Sequence, residues 1–285
     1  MTEQLSSSLA AGAAVALLGA YLVGVRRLAG SSPSLVRGIR RAGLGRFTAL
    51  VAGVGTGWLA VSPMAERLSD TGLAGHMTQH MVLIVVAAPL LAAGAPGTAL
   101  VLALPMRWRA AVARWRHVAR HLPVVGALFL PVTAWLVHVA ALWLWHLPLV
   151  FDAAHDSPVL HALEHASFLL TAWAYWWHLL SPQRHRLTGA AAVGYVFATM
   201  LPMTALGAVI TFAGSPLYPE TAAHVVARGA DPMTDQQLAG LVMWVPTDVM
   251  YLLTSVALFL PWLSGLDPVG SDAPEIRPDL AGELR

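Results

Sequence analysis

Two segments of the chain share the pattern His-x-x-(Gln/Glu)-His: His76-Met77-Thr78-Gln79-His80 and His161-Ala162-Leu163-Glu164-His165. On a helix, residues i and i+4 stand one turn apart on one face, so each segment aims two imidazoles at a common point, as metal ligands require. The chain has no cysteine. Disulfides and thiolate sites are therefore excluded, and imidazole, thioether, carboxylate and amide groups remain. Imidazole clusters of this kind suit copper, zinc or iron, and Met77 and Met81 add the soft thioethers that favour Cu(I).

The fourth residue of each pattern has its own role. Gln79 or Glu164 can orient a neighbouring imidazole by a hydrogen bond, and Glu164 can instead bind a metal directly. A carboxylate near a helix start is also favoured by the helix dipole alone. Two further readings stay open. His161-x-x-Glu164-His165 matches the H-x-x-E-H pattern of zinc peptidases, which would require a third ligand and a zinc-bound water. A b-type haem could instead take axial imidazoles from facing helices, with His138 or His146 set against His80 or His165.

The elements that must carry these residues are membrane helices. The sequence is 57% hydrophobic and only 11% charged over 285 residues, with a mean hydropathy of +0.64. That composition indicates an all-α polytopic membrane bundle rather than a soluble domain. The formal net charge of +2, carried by Arg with no Lys, gives no footprint for nucleic acid. Apolar runs of spanning length are Leu9 to Val25, Phe47 to Met64, Ala74 to Ala92, Val124 to Leu147, Pro158 to Leu180, Gly189 to Ala213 and Gln237 to Leu263. About seven transmembrane helices are thus expected. The first reads as a retained signal anchor, and Thr98 to Leu104 reads as a short interfacial or re-entrant piece after the Gly94 to Gly97 break. Residues 1–265 form one membrane domain, followed by a polar, Pro-rich and disordered tail over 266–285.

Arginine placement sets the expected orientation. Arg26, Arg27, Arg37, Arg40, Arg41 and Arg46 follow the first run; Arg107, Arg109, Arg114, Arg116 and Arg120 follow the third; Arg184 and Arg186 follow the fifth. The opposite loops hold only Arg67 and Arg228. The positive-inside rule then puts the amino terminus outside and the carboxyl terminus in the cytoplasm. His76, His80, His146, His161 and His165 arrive at the outer face from three helix ends, with His155 and His224 in outer loops. His138 sits about 12 Å below His146 by helical rise. Asp235 reads as a helix cap in competition with Thr234. Asp248 falls near mid-membrane, where a carboxylate costs about 2.5–3.5 kcal/mol unless paired. His138 is its expected partner.

These motifs, in this order, carry a resemblance. The strings His76-Met-Thr-Gln-His80-Met81, Leu142-Trp-Leu-Trp-His146-Leu-Pro148, His161-Ala-Leu-Glu-His165-Ala-Ser-Phe168, Trp176-Trp177 and Asp235-Gln-Gln-Leu-Ala-Gly240-Leu-Val-Met243-Trp244 resemble the CtaG family of cytochrome c oxidase assembly factors, the polytopic kind associated with caa-type oxidases. The likeness runs from about Leu44 to Trp262. It implies a multi-pass bacterial plasma-membrane protein, not an enzyme, that helps to form active haem-copper oxidase through copper supply to the oxidase. The implied partners are oxidase subunits, membrane lipid and copper chaperones. Chemistry and resemblance together give His76, His80, His161 and His165 as the expected copper ligands, with His146, Met77 and Met81 secondary and Gln79, Glu164, His138, Asp235 and Asp248 in support. A metal-free scaffold is the remaining alternative.

Overall fold

A computed structural model of the chain describes residues 2–28, 43–121, 127, 130–181 and 186–265. The expected tail over 266–285, Arg37, Arg40, Arg41, Arg184 and His185 lie outside the described residues. Among the described residues there is helix and no strand: α1 (Thr2–Leu28), α2 (Leu44–Ala60), α3 (Pro63–Ser69), α4 (Leu73–Gly94), α5 (Gly97–Ala103), α6 (Met106–His121), α7 (Pro131–Trp145), α8 (Pro148–Asp156), α9 (Pro158–Leu180), α10 (Gly189–Phe212), α11 (Pro219–Ala227) and α12 (Pro232–Ser264).

Among the described residues, four helices are long and apolar enough to cross a membrane: α1 over Ala11–Leu28, α4, α10 and α12. Two bent pairs, α2–α3 (52°) and α7–α8 (75°), bring the number to six if each is one span. The remaining expected crossing, α9, has the extent read from the sequence, 23 residues from Pro158 to Leu180. Its three histidines and Glu164 dilute its apolar character, so by composition it stands apart from the others.

Both bends begin at proline. Ser62 Oγ accepts from Ala65 N–H at 3.4 Å and Pro63 opens α3 at its first position, where a missing N–H costs nothing. Pro148 does the same for α8. The expected run Phe47 to Met64 is therefore divided between α2 and the first turn of α3, whereas α7 ends within the expected run Val124 to Leu147 and α8 begins just beyond it. His155 and His224, expected in loops, lie instead on the short helices α8 and α11, with ring centroids 5.8 Å apart.

The middle of α4, Val82–Ala87, winds as a π-helix. Pro89 explains it. An α-helical Pro89 would clash with the carbonyl four residues back, and one wider turn removes the clash. The wider turn pairs Ala88 N–H with the Leu83 carbonyl, but Pro89 has no N–H to offer Ile84. The indole Nε1 of Trp176 donates to that Ile84 carbonyl at 3.2 Å, from the fully buried face of α9. A backbone irregularity in one helix is thus satisfied by a side chain of another, as burial in an apolar bundle demands.

Around this join, Tyr175, Trp176, Phe168, Met243 and Tyr251 form the buried core between α4, α9, α10 and α12. Helices α10 and α12 meet backbone to backbone: a Cβ added at Gly240 would lie 2.2 Å from Thr211 Oγ1 and 2.7 Å from the Gly207 carbonyl. Helices α1, α2 and α5 form a second, smaller packed unit around Tyr21, Val25 and Leu50. It joins the first through α2, which lies along the lower half of α4 where Gly53 faces Leu90 and Leu91.

Candidate metal centre

The two His-x-x-(Gln/Glu)-His segments begin α4 and α9, and the fold sets these helix starts side by side. The start of α4 is held by another helix. Asp235, in the first turn of α12, accepts from the backbone N–H groups of Leu73 (2.7 Å) and Ala74 (3.2 Å). These are two of the donors that a helix start leaves without intrahelical partners. Gly72 permits the approach, since a Cβ there would lie 2.7 Å from Asp235 Oδ2. Asp235 is therefore not the cap of its own helix, as the sequence suggested. Asp231 takes that role, accepting from Thr234 N–H (2.7 Å) and Thr234 Oγ1 (2.6 Å), and those two bonds hold its carboxyl below the ordinary carboxylate range.

From these starts, four imidazoles and one carboxylate converge. The rings of His76 and His80 are 4.3 Å apart, as are those of His161 and His165. Across the interface, His76 stacks on His161 at 5.4 Å and His80 meets His165 at 5.2 Å. Glu164 reaches between them: its Oε2 is 3.9 Å from His76 Nε2 and its Oε1 is 3.7 Å from His80 Nε2. Ligand atoms from His76, His80, His161 and Glu164 all lie within 4.8 Å of one another. Glu164, only 1% exposed, stands among the ligand candidates themselves rather than behind them.

Little inside the chain satisfies these atoms. His76 Nδ1 meets Ser69 Oγ at 2.9 Å, which orients that ring with Nε2 toward the cluster. His76 Nε2, both nitrogens of His80, His161 Nε2, His165 Nε2 and both oxygens of Glu164 have no hydrogen-bond partner among the described residues, although all are buried. Leaving one such group unpaired costs about 1–3 kcal/mol. Several converging on one point is the arrangement that a bound cation satisfies.

A second set of ligand atoms adjoins the first. Glu66 on α3 brings a carboxylate oxygen within 4.8 Å of donor atoms from His161 and His165. Gln79 Nε2 holds it there, donating to Glu66 Oε1 at 2.9 Å and to the Ala60 carbonyl at 2.8 Å. Gln79 thus supports a carboxylate on another helix rather than the imidazole next to it. A cavity of about 570 Å³ opens beside this set, lined by Glu66, His161, His165 and His76, and lower down by apolar side chains of α1, α2 and α9.

Glu66 is the residue that the sequence reading missed. Its signal was the Ser62-Pro63 helix start, which turns α3 toward α9 instead of letting the preceding span run on.

The secondary candidates separate. His146 and Met77 form a pair beside the cluster: His146 Nε2 lies 3.4 Å from Met77 Sδ, and its ring is 6.3 Å from that of His80. His146 Nδ1 is 2.6 Å from the Leu142 carbonyl, and the Tyr218 hydroxyl fixes the His146 carbonyl at 2.9 Å. Met81 faces another way, its sulfur accepting from Thr247 Oγ1 of α12 at 3.3 Å. His138 is fully buried, with Nδ1 3.0 Å from Thr171 Oγ1 and its ring stacked on Tyr175. Asp248 accepts from Thr204 Oγ1 at 2.7 Å. The expected His138–Asp248 pairing is therefore replaced by two hydroxyl contacts, because each residue faces a threonine on its neighbouring helix.

Comparison with known proteins agrees with this arrangement of motifs. The family model for the cytochrome c oxidase caa3 assembly factor (Caa3_CtaG) matches residues 19–264. The chain is 26% identical over 234 residues to an uncharacterized protein of Mycobacterium leprae (strain TN), covering 79% of this chain and 36% of that protein. It is 27% identical over 194 residues to an uncharacterized protein of Mycobacterium bovis, covering 66% of this chain and 29% of that protein. The chain thus spans about a third of the length of the curated relatives it matches. No solved structure matches it.

Proposed function

The chain belongs to the cytochrome c oxidase caa3 assembly factor family, and from that premise we propose that it binds copper as cargo at the His76, His80, His161, His165 and Glu164 cluster and aids its delivery to or insertion into a haem-copper oxidase. The observation that carries this reading is the convergence of buried imidazole and carboxylate atoms that find no partner within the chain.

Copper is favoured by the pair next to the cluster. A carbonyl only accepts, so the proton of a neutral His146 sits on Nδ1 against Leu142, and the bare Nε2 faces a thioether that also only accepts. Two lone pairs meeting at 3.4 Å without a proton between them suit a soft cation. Imidazole and thioether ligands hold Cu(I) less tightly than thiolates, which fits a donor rather than a store. The arginine pattern supports a cluster at the outer face of a bacterial plasma membrane, with oxidase subunits and copper chaperones as the partners to expect.

Copper delivery also accounts for the site better than the alternatives. In a zinc peptidase Glu164 would act as base on a water beside the substrate, yet Glu164 is buried against His76 and His80 and does not line the cavity. A b-type haem needs its macrocycle between two axial imidazoles, whereas His146 turns Nε2 to Met77 Sδ at 3.4 Å, His138 stacks on Tyr175, and His80 and His165 stand against each other at 5.2 Å. A metal-free scaffold leaves the convergence of unpaired donors without a cause.

The test is metal analysis of the purified protein. Copper bound by the wild type and lost from the His80→Ala/His165→Ala variant is the expected result; equal copper in both removes these residues from the site. Deletion in cells, followed by oxidase assay with and without added copper, separates supply from scaffolding. Rescue by copper supports supply, and full oxidase activity without the protein overturns the assembly role.

A further inference from the structure

Two overlapping ligand groups, rather than one, meet at the junction of α3, α4 and α9. The first draws on His76, His80, His161 and Glu164; the second draws on Glu66, His161 and His165. His161 belongs to both. The groups differ in access: all of Glu66, His161 and His165 line the cavity, whereas in the first group His76 and the shared His161 do and His80 and Glu164 do not. His80 is fully buried and Glu164 is 1% exposed.

We propose that Glu66, His161 and His165 form a second, cavity-side metal position that shares His161 with the buried one. This inference rests on the copper reading above and deepens it. Three features support it. The Glu66 carboxylate is oriented by Gln79, whose amide reaches across from α4 and is itself anchored on the Ala60 carbonyl. His165 is 7% exposed, and its Nε2 has no partner within the described residues. The set of two imidazoles and one carboxylate is a complete three-ligand site for a borderline cation such as copper or zinc, and three protein ligands leave a coordination position for an incoming or departing group.

Sharing one ligand gives the two positions a relation in time. An ion held by His161 exchanges Glu66 and His165 for His76, His80 and Glu164 without leaving the protein, and its oxidation state does not change. Delivery from the buried position then passes through the cavity-side one. The cavity is the mouth at which a partner's ligand would meet the ion.

The experiment isolates each position with copper(I) buffered by a competing chelator. The His76→Ala/His80→Ala variant removes the buried position and is expected to keep one class of copper site, which disappears when Glu66→Gln is added. As a second measurement, Glu66→Gln alone, nearly isosteric, is expected to weaken one class by at least about tenfold and leave the other unchanged. Helical content and monodispersity in detergent establish that each variant is folded.

Copper bound by the wild type but absent from a folded His76→Ala/His80→Ala variant overturns the second position and leaves the copper reading standing. Copper affinities unaffected by Glu66→Gln overturn it as well. A wild-type protein that binds no copper overturns both.

Discussion

Gln79 Nε2 donates to Glu66 Oε1 at 2.9 Å, and this one contact fixes the bent end of the second span against the helix that carries His76 and His80. The same amide nitrogen reaches the Ala60 carbonyl at the foot of the bend. Substituting Gln79→Leu keeps the volume and removes both donations. The unpaired acceptors are expected to cost about 1–3 kcal/mol of stability, read as a lower thermal midpoint in detergent, together with weaker copper binding. Unchanged values for both would show that the amide does not organise the site.

Copper loading is expected to release protons, because an imidazole or carboxylate must be deprotonated before it binds a metal. Affinity therefore falls as the pH is lowered, by about tenfold per unit for each proton displaced. Calorimetric titrations in two buffers of different ionisation enthalpy count these protons. A titration whose heat is the same in both buffers, at a pH where the ligands are protonated, would exclude His and Glu as the ligands.

Trp176→Phe keeps a large aromatic ring in the core and deletes the donor to Ile84. The π-helical turn of α4 then has a buried carbonyl without a partner, for an expected loss of about 1–3 kcal/mol. Thermal unfolding measures it, and Trp177→Phe serves as the control because the neighbouring indole makes no contact with that carbonyl.

Asp231 offers a pH signature. Its carboxyl is held below the ordinary range, chiefly by the Thr234 hydroxyl and then by the Thr234 N–H. A depressed folded value means that the ionised form adds stability above the unfolded pKa of about 3.9 and loses it as pH falls through the lower folded value. Asp231→Asn keeps a capping side chain without the charge. The difference in thermal midpoint between wild type and this variant is expected to be constant near neutrality and to shrink below about pH 4. A difference that stays constant through that range would remove the charge from the cap.

Asp235→Ala uncaps α4 from a distance. Loss of a capping carboxylate costs about 0.5–2 kcal/mol, and here the loss falls at the helix turn before His76. Copper affinity is expected to drop along with stability, with Asp235→Asn intermediate. Normal copper binding by a destabilised Asp235→Ala protein would show that the cap and the ligands are independent.

The sequence made the ligand helices legible because the i, i+4 spacing of His76 with His80 and of His161 with His165 depends only on helical geometry. The order of motifs likewise led to the right family. What it left hidden depends on contacts between distant elements. Glu66 joins the cluster only because Ser62 and Pro63 bend the chain, and nothing in its local sequence distinguishes it from a loop carboxylate. Asp235 looks like a cap for its own helix, yet its partners are 161 and 162 residues away. Asp248 and His138 share a depth but not a direction. Each therefore found a threonine on a neighbouring helix, which depth alone does not foretell.

The long reach of Asp235 bears on how the protein is made. Helix α4 leaves the ribosome before α12, but the group that completes its first turn belongs to α12. During synthesis the segment bearing His76 and His80 must wait, its leading amides unanswered, until α12 has entered the bilayer. A chain that has reached α12, and not a shorter nascent fragment, is what first offers a fully formed seat for an ion.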